Sequence, residues 1–135
     1  LKQNNKYIVL DVAGRDSAEF RSALLTADVL IIPTQPSQTD IEVLPFVLRL
    51  VNTAKQVNKN LKTFVVLNKA PTNNKSTEID AALELLQQVK SVKTLNTILR
   101  DRKQFRDAMI EGKSVLEMGS SKAKDELNEF LVEIL

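Results

Sequence analysis

Apolar runs rich in β-branched residues alternate along this chain with stretches of helical period, the pattern of βαβ units feeding a parallel sheet. Near-continuous hydrophobic runs predict strands at Tyr7–Asp11, Val29–Ile32, Thr63–Leu67 and Thr94–Leu99. Their lack of polar alternation suits strands covered by helices on both faces. Helices are predicted between them over Ser17–Thr26, Thr39–Asn58 and Thr77–Val89. In the third, Ile79, Ala82, Leu83, Leu86 and Val89 recur at helix spacing and predict a stripe facing the sheet. Pro45, early in the second, predicts a kink or a late helix start. After Leu99, the basic residues Arg100, Arg102, Lys103 and Arg106 gather at a helix start, and Gly112 reads as that helix's stop. A last helix, capped from Gly119-Ser120-Ser121, carries the stripe Ala123, Leu127, Phe130, Leu131 and Ile134. Pro71-Thr72-Asn73-Asn74-Lys75 reads as an exposed loop.

Composition narrows the chemistry. With 135 residues, 43% of them hydrophobic, the chain sustains one core, and a single domain is expected. It has no cysteine and no histidine, which removes disulfides, thiolate metal sites, His-based catalysis and ordinary zinc sites, and points to a cytosolic setting. The net charge of +2 leaves an anionic partner open, because clustering and not the sum decides. No apolar run nears the ~20 residues of a membrane span. Aromatic residues at 4% argue against a base-stacking platform for single-stranded nucleic acid.

Four places carry candidate chemistry. Asp11 ends an apolar run before Gly14; an acid at the carboxyl end of a strand lies where open α/β sheets bind ligands, and there it serves either as a Mg2+ ligand or as a turn cap. Asp16 or Ser17 then caps the following helix. Ile32-Pro33-Thr34-Gln35-Pro36-Ser37-Gln38-Thr39-Asp40 is a rigid polar loop after a strand, suited to the wall of a pocket or dimer seam, or to a plain connection capped by Thr39 or Asp40. Asn68 and Lys69 follow a strand in the same way, and an Asn there offers both a donor and an acceptor. The group Arg100, Arg102, Lys103 and Arg106 reads either as a phosphate-contacting cluster or as a solvated face balanced by Asp101 and Asp107.

No G-x-x-x-x-G-K-[ST] phosphate loop occurs in the chain. Taken in order, however, its segments resemble the C-terminal two-thirds of a ParA/MinD-type ATPase, the deviant P-loop family that includes the partition proteins. Tyr7 to Gly14 resembles the family's second acidic strand and turn. Ala27-Asp28-Val29-Leu30-Ile31-Ile32-Pro33-Thr34-Gln35-Pro36-Ser37 resembles its "aD-vliP-p-s" segment, and Val65-Val66-Leu67-Asn68-Lys69 its "lN+" strand end. Phe105-Arg106-Asp107-Ala108-Met109-Ile110-Glu111-Gly112-Lys113-Ser114-Val115 resembles the late "f-eA-eG-sv" block. The final helix lacks the basic, aromatic character of a membrane-targeting tail, so the partition proteins fit better than the cell-division regulators.

The resemblance implies an α/β, three-layer, mainly parallel sheet flanked by helices, of the P-loop NTPase kind, with residues 1–135 as the C-terminal portion of one ParA-like nucleotide-binding domain. It implies that Asp11 helps hold Mg2+, that Gly14 is a switch residue near the γ-phosphate, and that Asn68, with Lys69, recognises adenine. Pro36 would line the nucleotide and dimer seam, and Arg102 would lie beside the base. Arg100, Arg102, Lys103 and Arg106 would help an ATP-bound homodimer bind DNA without sequence preference. A ParB-like centromere-binding partner would stimulate hydrolysis, and the protein would be cytoplasmic and nucleoid-associated, with no membrane contact. Val12-Ala13 replaces the family's commoner proline pair. Because positioning and charge stabilisation of the phosphates carry phosphoryl transfer, a chain without the phosphate cradle is expected to be inactive alone. Two other readings stand beside this one: a non-catalytic binding module of the same fold, and a cobyrinic acid synthetase-type relative.

Overall fold

The computed structural model describes residues 6–13, 16–73, 76–89 and 92–135. Its elements run α1 (Ala18–Thr26), β1 (Val29–Thr34), α2 (Gln38–Lys55), β2 (Lys62–Ala70), α3 (Glu78–Gln87), β3 (Lys93–Arg100), α4 (Lys103–Ile110) and α5 (Lys122–Ile134). The three strands form one parallel sheet in the order β1-β2-β3, flanked by helices, so the α/β expectation holds. Sequential strands are spatial neighbours, and each parallel pair is joined through a helix, as parallel pairing requires.

Central strand β2 shows why its sequence is uninterrupted. Val65 and Leu67 pack with Ile41 and Leu44 of α2 and Ala82 and Leu86 of α3. Val66, which points to the opposite face, is equally buried. A strand buried on both faces has no position for a polar residue in its middle. A second cluster joins Phe20 and Leu24 of α1 to Val47, Val51 and Ala54 of α2, with Leu30 and Ile32 of β1 against it. A third ties Ala108 of α4 to Val115 and to Ala123 of α5.

Caps set the helix boundaries. The Ser17 hydroxyl accepts the Phe20 amide, Ser37 accepts Asp40, and Ser121 accepts Lys124. Thus α2 is capped by Ser37, two residues before the expected start, and it runs through Pro45 without a late beginning. Gly112 has φ +64° just past α4, as a helix-terminating glycine should. Pro33 lies inside β1, paired with Val66. It is tolerated because β1 is an edge strand, where a missing amide donor need not break a ladder.

One expected strand does not form. Residues 6–13 lie outside any strand, and Tyr7, Val9 and Leu10 are exposed. The run is apolar, but a strand exists only against a partner edge, and among the described residues no edge hydrogen-bonds to this segment. Gly14 lies outside the described residues.

The far end of α1 is held by a side chain 31 and 34 residues away: the Asn58 amide donates to the Leu24 and Ala27 carbonyls at 3.0 and 2.8 Å. These are carbonyls that the helix itself leaves unpaired. Asn58→Ala is expected to lower stability by about 2 kcal/mol, from two lost bonds of about 1 kcal/mol each. Urea unfolding checks this, and an unchanged midpoint would mean that water replaces the amide fully.

Candidate functional site

Parallel pairing brings the carboxyl ends of all three strands to one edge of the sheet, the edge at which open α/β sheets take ligands. Thr34 pairs with Leu67, so the Thr34–Ser37 loop stands beside Asn68. The Asp101 amide donates to the Ala70 carbonyl at 2.9 Å, which draws Arg100, Asp101 and Arg102 to the same place. Three segments distant in sequence therefore meet at one edge.

The tip of β2 is irregular. From Leu67↔Ile98 to Ala70↔Arg100, β2 advances three residues while β3 advances two, so β2 carries a bulge at Asn68-Lys69. Lys69 sits in the left-handed region at φ 52°, unusual for a residue that is neither Gly nor Asn. Bulges next to binding sites re-aim side chains. Lys69 is exposed, and among the described residues the Asn68 side-chain amide makes no hydrogen bond and Lys69 no ion pair. A donor, an acceptor and a cation are thus left available at the centre of the edge.

The tip of β3 is fixed from the last helix. The buried Glu126 carboxylate on α5 accepts from the Arg102 side chain at 3.1 Å (Nε) and 2.7 Å (Nη2). It also accepts from Arg100 through Nη1 at 3.0 Å and through the backbone amide at 3.2 Å. Burial pushes the Glu126 carboxyl up, but Arg102 and the amide and guanidinium of Arg100 outweigh it and hold the group below its ordinary range. In return, the hydrogen bond to Glu126 raises Arg102. Two guanidinium groups share one carboxylate, so the cluster keeps a surplus positive charge at the tip of β3. Lys103 and Arg106 behave differently: they point outward and pair with Asp107 and Asp101 on the surface, where such pairs contribute little.

Pro36 lines a cavity of about 390 Å³ between α2 and α3, with Ser37, Ile41, Glu78 and Ala82. Asp11 is exposed and stands beside Val12, which lines a groove of about 400 Å³ along the outer side of β1 with Phe20, Leu30, Pro33 and Thr34. Asp11 thus lies to the side of β1 and is not joined to the Asn68–Arg102 group, and its place at a strand terminus is not realised. No three metal-ligating side chains converge among the described residues. A single carboxylate still fits Mg2+, which takes one or two from protein and fills the remainder with phosphate and water.

Glu126 was not singled out by sequence, nor was Glu133, which holds the middle of β3. The signal is visible afterwards: Glu126 lies three residues after Ala123 and four before Phe130, an acid set into the apolar stripe of α5.

No protein-family model matches the chain. It is similar to the maintenance of carboxysome distribution protein A of Halothiobacillus neapolitanus, with 28% identity over 135 residues, covering 98% of this chain and 61% of the relative. The chain therefore spans less than two-thirds of that protein's length. The similarity is distant, and it runs along the whole chain rather than through one motif.

Glu126→Gln is expected to cost about 3 kcal/mol at neutral pH, because two guanidinium groups lose their buried counter-charge. The folded-state carboxyls of Glu126 and Glu133 both lie below their ordinary value of 4.5. Their stabilisation is therefore complete above that value and is lost as pH falls through the folded values. Urea unfolding between about pH 3 and pH 7 should show a steep acid limb that flattens in a Glu126→Gln/Glu133→Gln variant. An unchanged limb would place acid sensitivity elsewhere.

Proposed function

We propose that this chain is the C-terminal portion of a ParA-like positioning ATPase, and that its strand-tip edge receives the adenine end of ATP. The observation that carries this reading is the bulge at Asn68-Lys69, which sets an amide without a partner among the described residues, and a cation, between two other loops of the same edge. An amide pairs with adenine as donor and acceptor together. The similarity to a carboxysome-distribution protein supports the same class, since that protein's name describes the positioning of a cellular body.

In this reading the exposed Tyr7–Leu10 run is covered by the part of the domain that carries the phosphate cradle. Asp11 supplies one carboxylate toward Mg2+, whose chemistry is to bridge and neutralise phosphates. Gly14 follows as the switch position, and Pro36 stands at the seam of a homodimer. Lys103 and Arg106 are the basic residues turned to solvent, and they make the non-specific DNA contacts. Arg100 and Arg102 shape the edge from within. A ParB-like partner, or another cargo-bound protein, stimulates hydrolysis, and the protein works on the nucleoid in the cytoplasm.

The test is nucleotide binding by the full-length protein, read by fluorescence with ATP and GTP. Asn68→Ala should weaken ATP about tenfold, the loss of a hydrogen-bonded pair, and leave GTP little changed. Equal weakening of both nucleotides, or none, would remove Asn68 from base recognition.

A further inference from the structure

The turn that ends β3 is held from outside the sheet. Beyond the last paired positions, Ala70 and Arg100, strand β2 meets the turn through the Asp101 amide, which donates to the Ala70 carbonyl at 2.9 Å. The residues on either side of Asp101 are bonded to Glu126. Its Oε1 accepts Arg100 Nη1 at 3.0 Å and Arg102 Nη2 at 2.7 Å, and its Oε2 accepts the Arg100 amide at 3.2 Å and Arg102 Nε at 3.1 Å. The Arg102 fork therefore spans both oxygens, a planar match that fixes direction as well as distance. Charge-assisted bonds of this kind are about twice as strong as a neutral amide–carbonyl bond. Together they outweigh the Asp101–Ala70 bond in setting where the turn sits.

Glu126 is itself placed by apolar packing and not by the turn it holds. Ala123, one turn earlier on α5, is fully buried with Ala108 of α4 and Val115, and Leu127 packs on the same cluster. The carboxylate thus enters from a fixed helix and is 8% exposed. From it the connection runs through Arg100 and Arg102 to Asp101, then through one hydrogen bond to Ala70, the residue directly after Lys69 on the bulge. The bulge is the less secure end. Lys69 stays at φ 52°, a conformation that is costly for a non-glycine residue and persists only where its surroundings impose it.

We propose that Glu126 is the positioning residue of the strand-tip edge. It holds the Arg100–Arg102 turn, and through Ala70 the Asn68-Lys69 bulge, in the arrangement in which the Asn68 amide meets an adenine base. Glu126 touches no ligand and acts through the turn. The role rests on the nucleotide reading of this edge and adds to it a residue of the last helix. A hydrogen-bonded base tolerates little displacement, because these bonds weaken steeply once distance and angle leave the optimum. Loss of the Glu126 carboxylate therefore reaches the nucleotide through Asn68.

Amide hydrogen exchange and nucleotide binding by the whole protein test it. Glu126→Gln keeps the side chain's size but removes its charge and sets an NH2 group against the guanidinium donors. Exchange at the Asp101 amide should speed by about tenfold, as expected when local opening becomes easier. ATP should bind about fivefold more weakly, within the range for residues coupled through one hydrogen-bond network, with GTP nearly unchanged. In an Asn68→Ala background, Glu126→Gln should weaken ATP no further, since the group it positions is gone. A merely structural role would add its full effect in both backgrounds. Arg102→Lys, which keeps the charge and loses the fork, should give the same pattern more weakly and serves if Glu126→Gln does not fold. Unchanged exchange at Asp101, unchanged ATP binding, additive losses in the double variant, or equal loss of ATP and GTP would overturn the positioning role while Asn68→Ala still marks the site. If Asn68→Ala alone leaves ATP binding unchanged, the nucleotide reading falls and the positioning role falls with it.

Discussion

A buried carboxylate needs compensating charge, and Glu126 finds it at the end of β3. Removing that carboxylate from water is costly, and the Arg100 and Arg102 guanidinium groups with the Arg100 amide offset the cost. The pairing acts at a distance from its own atoms. It fixes the point where β3 leaves the sheet, and the Asp101 amide passes that position to the β2 tip through the Ala70 carbonyl. It also fixes α5, which lies along β3 so that Glu133 accepts the Asn96 and Thr97 amides. One ion cluster thereby organises the last helix, the last strand and the edge where the candidate site lies.

That edge combines two kinds of residue. Arg100 and Arg102 direct their guanidinium groups to Glu126 inside the protein and give the edge shape and surplus positive charge. Asn68 and Lys69, held on a bulge with one residue at positive φ, have no side-chain partner among the described residues. A sheet tip whose rigid surroundings leave an amide and an ammonium group unengaged is organised for a polar ligand rather than for its own stability. The basic group read from sequence as one patch therefore divides in two. Arg100 and Arg102 turn inward, and Lys103 and Arg106 face solvent, according to which acid lies within reach.

Strand β2 is legible because burial on both faces demands an unbroken apolar run, β1 and β3 because their β-branched residues cluster between turn signals, and the helices because their apolar residues recur at helical spacing. The Tyr7–Asp11 run was misread for a physical reason: sequence reports the wish to be buried, whereas a strand also needs an edge to pair with. Helix α2 begins at Gln38 behind a Ser37 cap rather than at Thr39, since Ser37, Thr39 and Asp40 all suit a cap and backbone geometry chooses among them. Pro33 sits within β1 because only the sheet order reveals an edge. The two acids of α5 that bond β3 are invisible in sequence for the opposite reason. On a helix an acid reads as solvated, and only the approach of β3 shows that Glu126 and Glu133 face inward. In the candidate site, Asn68-Lys69 was visible as a strand end, but the bulge that frees the pair arises from register between two strands, which no single segment encodes.

The strand-tip edge around Asn68 is proposed as a site for an adenine nucleotide. The direct measurement is a titration of the isotopically labelled chain with adenosine monophosphate at millimolar concentrations, followed by amide NMR. Saturable shifts concentrated at Thr34–Ser37, Asn68–Ala70 and Arg100–Arg102 are expected, and they disappear in Asn68→Ala. Shifts confined to the groove beside β1 or to α4, or no saturable shift at any tip, would contradict it.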